Sequence, residues 1–210
     1  MAATLASARA GKMKRPDRPA QLKPFDILLY RNHGLIGALI EFGEKDEPGL
    51  SSYSHVAMVY DPESGTAIEQ NPPAAHLFAL AKVPWHRVDV FRLKLKGKDI
   101  FDDKKAIRAA QDRALRFLGP PPEPYDFGFI GKALGLDLLC RMGFKSAASR
   151  ISHHYNSTKH ASVCSTTAEV IAEAGLWAIH PKLSLVPVYL GEGEMKPGDF
   201  PESPLAYLVR

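Results

Sequence analysis

The 210-residue chain is poor in cysteine and tryptophan, with two of each. Two cysteines make no disulfide framework, and their surroundings show no zinc-knuckle spacing, so a thiol that matters here matters as a reactive group. A long uncharged apolar run is also lacking. The longest candidate, residues 125–144, is broken by Asp126, Lys132, Asp137 and Arg141. No run reaches the ~18–20 apolar residues that span a bilayer, so that segment reads as a buried or cleft-lining helix, and no integral membrane segment is expected. The 16 Gly and 17 Pro follow no period, which excludes collagen-like and low-complexity chains. What remains, 45% hydrophobic and 24% charged, suits one domain with a real core.

The net charge of +4 sits almost entirely in the first 24 residues. Arg9, Lys12, Lys14, Arg15, Arg18 and Lys23 face Asp17 alone there, and the rest of the chain is close to neutral. A basic tail is weak grounds for sequence-specific nucleic-acid binding. It has no apolar core of ~7–15 residues and so is not a Sec signal. Residues 1–23 are therefore expected to be a basic, disordered arm that could dock on an anionic partner, and residues 24–210 the folded domain. A cytoplasmic or virion-associated location follows as the expectation.

Beyond Pro24 the pattern becomes structured. Phe25-Asp26-Ile27-Leu28-Leu29-Tyr30 suits a buried strand, and residues 34–42 a short helix. Residues 56–60 form a second strand, turned by Asp61-Pro62-Glu63-Ser64-Gly65 into a third over 66–70, which Asn71-Pro72-Pro73 stops. Residues 88–93 alternate as a further strand. The second half reads as helices over 102–118, with Ile107, Ala110, Ala114 and Phe117 on one face, over 127–142, and over 163–176, closed by Gly175. Strands followed by helices, without βαβ alternation, predict an α+β fold.

Cys164 lies in Ala161-Ser162-Val163-Cys164-Ser165-Thr166-Thr167-Ala168-Glu169. Thr166 and Glu169 fit a capping box, and Ser162 fits an earlier cap. Either start leaves Cys164 in or just before the first turn, where outward N–H groups and the positive dipole end favour thiolate and could hold an oxyanion. Cys140, within Leu138-Leu139-Cys140-Arg141-Met142, has no such setting and reads as core.

A thiolate needs a base, and His55 is the best placed of eight histidines, at the mouth of the second strand. Alternation sets it on one face with Ala57 and Val59, small enough for a helix to pack closely. Glu69, a carboxylate in an otherwise apolar run on the strand returning beside it, could meet the imidazole Nδ1 and fix its tautomer. Gln70 or Asn71 could serve instead, although Gln70 alternates to the opposite face. The set His153, His154 and His160 lacks a partner pair at ligand spacing and reads as a loop edging the cleft. No metal or other cofactor is expected. Tyr53, Ser54, His154 and Ser165 are the candidate substrate-binding residues.

Taken in order, Lys23-Pro24-Phe25-Asp26-Ile27-Leu28-Leu29-Tyr30, Tyr53-Ser54-His55-Val56-Ala57-Met58-Val59, Ala67-Ile68-Glu69, Tyr125-Asp126-Phe127, Val163-Cys164-Ser165 and the C-terminal Lys196-Pro197-Gly198-Asp199-Phe200 resemble the circularly permuted papain-like hydrolases, the YiiX/YaeF-like branch of the NlpC-type cysteine peptidase superfamily. The likeness runs from about residue 23 to 207. It implies a nucleophile helix packed on a small antiparallel sheet or partial barrel, with Cys164 as nucleophile, His55 as base and Glu69 as the orienting acid. His55 preceding Cys164 is the permuted order. Ala57 departs from the pattern, standing where a glycine is usual.

The activity so implied is a thiol hydrolase (a cysteine peptidase or amidase) cleaving a peptide, isopeptide or cell-wall amide through an acyl-enzyme. One rival keeps the residues and changes the acceptor or substrate: a thiol acyltransferase or acyl-lipid esterase, as in the lecithin–retinol branch of the superfamily. Another is a non-catalytic structural or docking module, for example in a virion.

Overall fold

The computed structural model describes residues 21–31, 53–128, 164–183, 185, 200, 201 and 203–209. The expected helix over 34–42, all but residues 127 and 128 of the one expected over 127–142, Cys140, the His153–His154–His160 loop and most of the basic arm lie outside these residues.

The described part is α+β. Its strands are β1 (Ile27–Tyr30), β2 (His55–Asp61), β3 (Thr66–Asn71), β4 (Ala74–Ala79), β5 (Val88–Leu95), β6 (Lys98–Asp99) and β7 (Ala206–Leu208). They form an antiparallel sheet in the order β4-β3-β2-β1-β5-β6, with β7 also on β5. Two helices are described, α1 (Lys104–Leu118) and α2 (Cys164–Ile179).

Local chemistry explains much of this. The β2–β3 hairpin closes through Gly65 at φ 70°, a left-handed position that glycine takes without strain. Asp103 caps α1 by accepting from the Lys105 N–H at 2.7 Å. Its buried face carries Ala106, Ala110, Ala114 and Phe117, while Ile107 is only partly covered.

Apolar residues fill both faces of the sheet. On one, Ile27, Leu29, Val56, Met58 and Ile68 meet α1 and α2 through Ala110, Cys164, Ala168 and Ile171. On the other, Leu28, Tyr30, Ala57, Val59, Ala67 and Val90 pack beneath Leu80 and Val83. The face that receives α2 thus carries Val56 and Met58, not Ala57 and Val59 as alternation with small side chains suggested. β2 is a central strand covered on both sides, so side-chain size does not mark its helix face.

Three further differences from the sequence reading have local causes. Strand β4 was missed because Ala74, Ala75 and Ala79 give little β signal. Thr166 and Glu169 lie inside helix α2, which rules out Thr166 as its cap. The helix also runs past Gly175 to Ile179. That glycine is a packing position: a Cβ there would run into the Phe101 ring and lie 3.1 Å from the Ala106 carbonyl oxygen. Gly175→Ala is expected to destabilise the protein by about 1–3 kcal/mol despite alanine's better helix propensity. Urea unfolding checks this, and an unchanged or raised midpoint would refute the close approach.

Residues 21–23 are tied to the domain. Lys23 Nζ reaches Asp99 and Asp102 at 2.6 Å each, and Arg92 donates to the Gln21 carbonyl. Arg92 also grips the buried Asp26 with two hydrogen bonds of 2.6 and 2.7 Å.

Candidate active site

His55 is the first residue of β2, and Cys164 is the first described residue of α2. The imidazole is 5% exposed and the cysteine 3%. The Cys164 side chain is hydrogen-bonded to His55, joining residues 109 positions apart in the chain. On its other side His55 Nε2 lies 2.7 Å from Glu69 Oε2. The carboxylate therefore meets Nε2, not Nδ1 as the sequence reading had it. β3 delivers Glu69 by register, because it pairs across from Ala57, two residues along the strand from His55.

Burial by itself would push the His55 imidazole down, since it disfavours the charged ring. The charge and hydrogen bond of Cys164, followed by those of Glu69, outweigh burial and raise it to about 9. The folded protein therefore holds this proton more tightly than the unfolded chain, where the ordinary value is ~6.5. The resulting stabilisation is complete below about pH 6.5 and is lost as pH rises through about 9. The stability advantage of the protein over His55→Gln should accordingly shrink between pH 6 and 9.5. An advantage that grows with pH would contradict this linkage.

The alternatives at the third position separate clearly. Gln70 is fully buried on the opposite side of the strand from Glu69, and its Nε2 donates to the Glu123 carbonyl at 3.0 Å. Asn71 ends β3, paired with Ala74. Of the candidate substrate-binding residues, Ser165 is buried in the first turn of α2. Tyr53 is buried, with its hydroxyl held by Asp89 and Arg31. Ser54 Oγ is 3.4 Å from the Tyr30 carbonyl, and His154 lies outside the described residues.

Three neighbours of this group were not singled out from the sequence as site residues. Tyr30, opposite His55 in the β1–β2 register, sets its ring 5.3 Å from the imidazole. Its hydroxyl is pushed well above the usual tyrosine range, by burial and then by the charge of Glu69. Tyr125 is pushed the same way, by burial first, then by the charges of Cys164 and Asp126. His76, on β4, pairs across from Glu69 and brings Nε2 to 3.1 Å from Glu69 Oε1. Recognising β4 as a further hairpin arm would have exposed His76. Tyr30 needed the β1–β2 register, and Tyr125 stood in the sequence only within the Tyr125-Asp126-Phe127 segment, with no site role attached.

No protein-family model matches the chain, and no curated protein matches it significantly. Among the described residues no group of three or more His, Cys, Asp or Glu could hold a metal ion, and no helix is long and apolar enough to cross a membrane.

Proposed function

We propose that this chain is a cysteine-dependent hydrolase of amide bonds, built on a permuted papain-like fold. The observation that carries the reading is the buried His55 imidazole set between the Cys164 sulfur and the Glu69 carboxylate, with the sulfur at the N-terminus of α2.

Glu69 at Nε2 directs Nδ1 toward the sulfur. Transfer of the thiol proton to that nitrogen makes a thiolate–imidazolium pair, which Glu69 stabilises from the far side. The Cys164 thiolate adds to the substrate carbonyl carbon, and N–H groups of the first turn of α2 receive the oxyanion. As the tetrahedral species collapses, the C–N bond breaks and His55 gives its proton to the leaving amine. A thioester remains on Cys164. His55, now neutral, takes a proton from water as the hydroxyl oxygen attacks the thioester; the acid departs and the thiol is restored.

The substrate class suggested is a peptide, isopeptide or cell-wall amide. To test the reading, the protein would be incubated with a panel of such amides, quenched in acid and mapped by mass spectrometry. An acyl adduct on Cys164, together with released amine and free acid, is the expected result. An acylated acceptor in place of free acid would convert the reading to acyl transfer, and absence of any Cys164 adduct across the panel would remove it.

A further inference from the structure

Glu69 does not serve His55 alone. Its second oxygen, Oε1, faces His76 Nε2 at 3.1 Å, while Oε2 holds His55 Nε2 at 2.7 Å. The other nitrogen of His76, Nδ1, lies 3.0 Å from the Ala74 carbonyl oxygen. A carbonyl oxygen only accepts, so Nδ1 carries a hydrogen and donates there. The ring is thereby fixed to the backbone of its own strand and aimed, through the β3–β4 register, at the carboxylate.

A glutamate has three side-chain torsions, and contacts on both carboxylate oxygens restrict them more than the His55 contact does by itself. We infer that His76 is a positioning residue, a second imidazole that clamps Glu69 so that its other oxygen stays on His55. This rests on the reading of Cys164, His55 and Glu69 as a reactive unit. Nothing in the clamp requires contact between His76 and substrate.

The burial pattern fits this division of labour. Glu69's side chain is mostly covered, at 10% exposed, whereas that of His76 is 43% exposed. His76 also has Phe78 beside it, ring to ring at 6.4 Å. A half-exposed residue of this kind can be replaced without opening a core cavity, which separates its effect on Glu69 from an effect on folding. With Nδ1 committed to Ala74, the Nε2 contact is a donated hydrogen bond when the ring carries both hydrogens.

The experiment is the rate of Cys164 alkylation by iodoacetamide from pH 5.5 to 9, located by peptide mapping, in four proteins: the unsubstituted chain, His55→Ala, His76→Ala and His76→Gln. The glutamine amide can donate to Glu69 Oε1 at every pH. With the clamp released, His76→Ala should alkylate roughly 10- to 100-fold more slowly, the scale of a misplaced catalytic group, while His76→Gln restores most of the rate. Thermal midpoints should agree across the two His76 variants. If His76→Ala reproduces the profile of the unsubstituted chain, or if the glutamine fails to rescue it, the clamp is refuted. If the unsubstituted protein itself alkylates no faster than His55→Ala, the reactive unit fails instead, and the two failures are told apart.

Discussion

His55→Ala is expected to lower amide hydrolysis by about 10³- to 10⁴-fold, because one imidazole supplies both the acid for the leaving amine and the base for water. Alkylation should fall less, since it needs only the thiolate. An unassisted thiol, half ionised near pH ~8.5, is on the order of 1% thiolate or less at pH 6, so the loss there should be about 10²-fold and should vanish above pH 9. This split between hydrolysis and alkylation is the signature of a group that both charges the sulfur and moves protons. Equal losses in the two assays would assign His55 to positioning alone. Undiminished hydrolysis would end the proposal. Glu69→Gln should give a smaller defect than His55→Ala, because the amide keeps the shape of the carboxylate and loses the charge that supports the imidazolium.

Arg92→Met should cost about 3 kcal/mol or more of unfolding free energy at pH 7, the largest stability effect expected in the described domain. Asp26 is 1% exposed and receives two hydrogen bonds from Arg92. Burial raises the Asp26 carboxyl above its ordinary range by more than those hydrogen bonds from Arg92 lower it. Removing the guanidinium therefore strands a buried charge. The loss should diminish as pH falls, because the stranded carboxyl can then take a proton. Pairing Arg92→Met with Asp26→Leu should recover part of the stability by removing both desolvated groups. Urea unfolding at pH 7 and 5 measures all three. A loss below about 0.5 kcal/mol in the single variant would place the pair with weak surface ion pairs. Since Lys23 and Asp99 belong to the same network, the entry of residues 21–23 into the domain should loosen in the same variant.

Neighbour relations along the chain were legible where one strand turned directly into the next. The β2–β3 hairpin places Glu69 opposite Ala57, within reach of His55, and the turn residues 61–65 announce that hairpin. The helix that carries Cys164 was equally visible, although its start was not, because Ser162, Thr166 and Glu169 offer competing caps. The orientation of the imidazole was not legible. Which ring nitrogen meets Glu69 depends on how β2 and β3 are staggered and on the Tyr30 ring packed against His55, and no local pattern encodes either. His76 escaped for a related reason. Its strand is half alanine, and its meaning lies wholly in the pairing with Glu69.

Composition and periodicity by themselves determined the α+β class, the β2–β3 hairpin and the presence of Cys164 and its neighbours in a helical stretch, because these follow from hydrophobic spacing and turn chemistry within a dozen residues. Tertiary structure alone decided which sheet face accepts that helix, why Gly175 sits in mid-helix against Phe101, and which groups surround the sulfur. The reason is physical: hydrogen bonds and close packing act over a few ångströms, and only the folded chain brings residues from opposite ends of the sequence within that range.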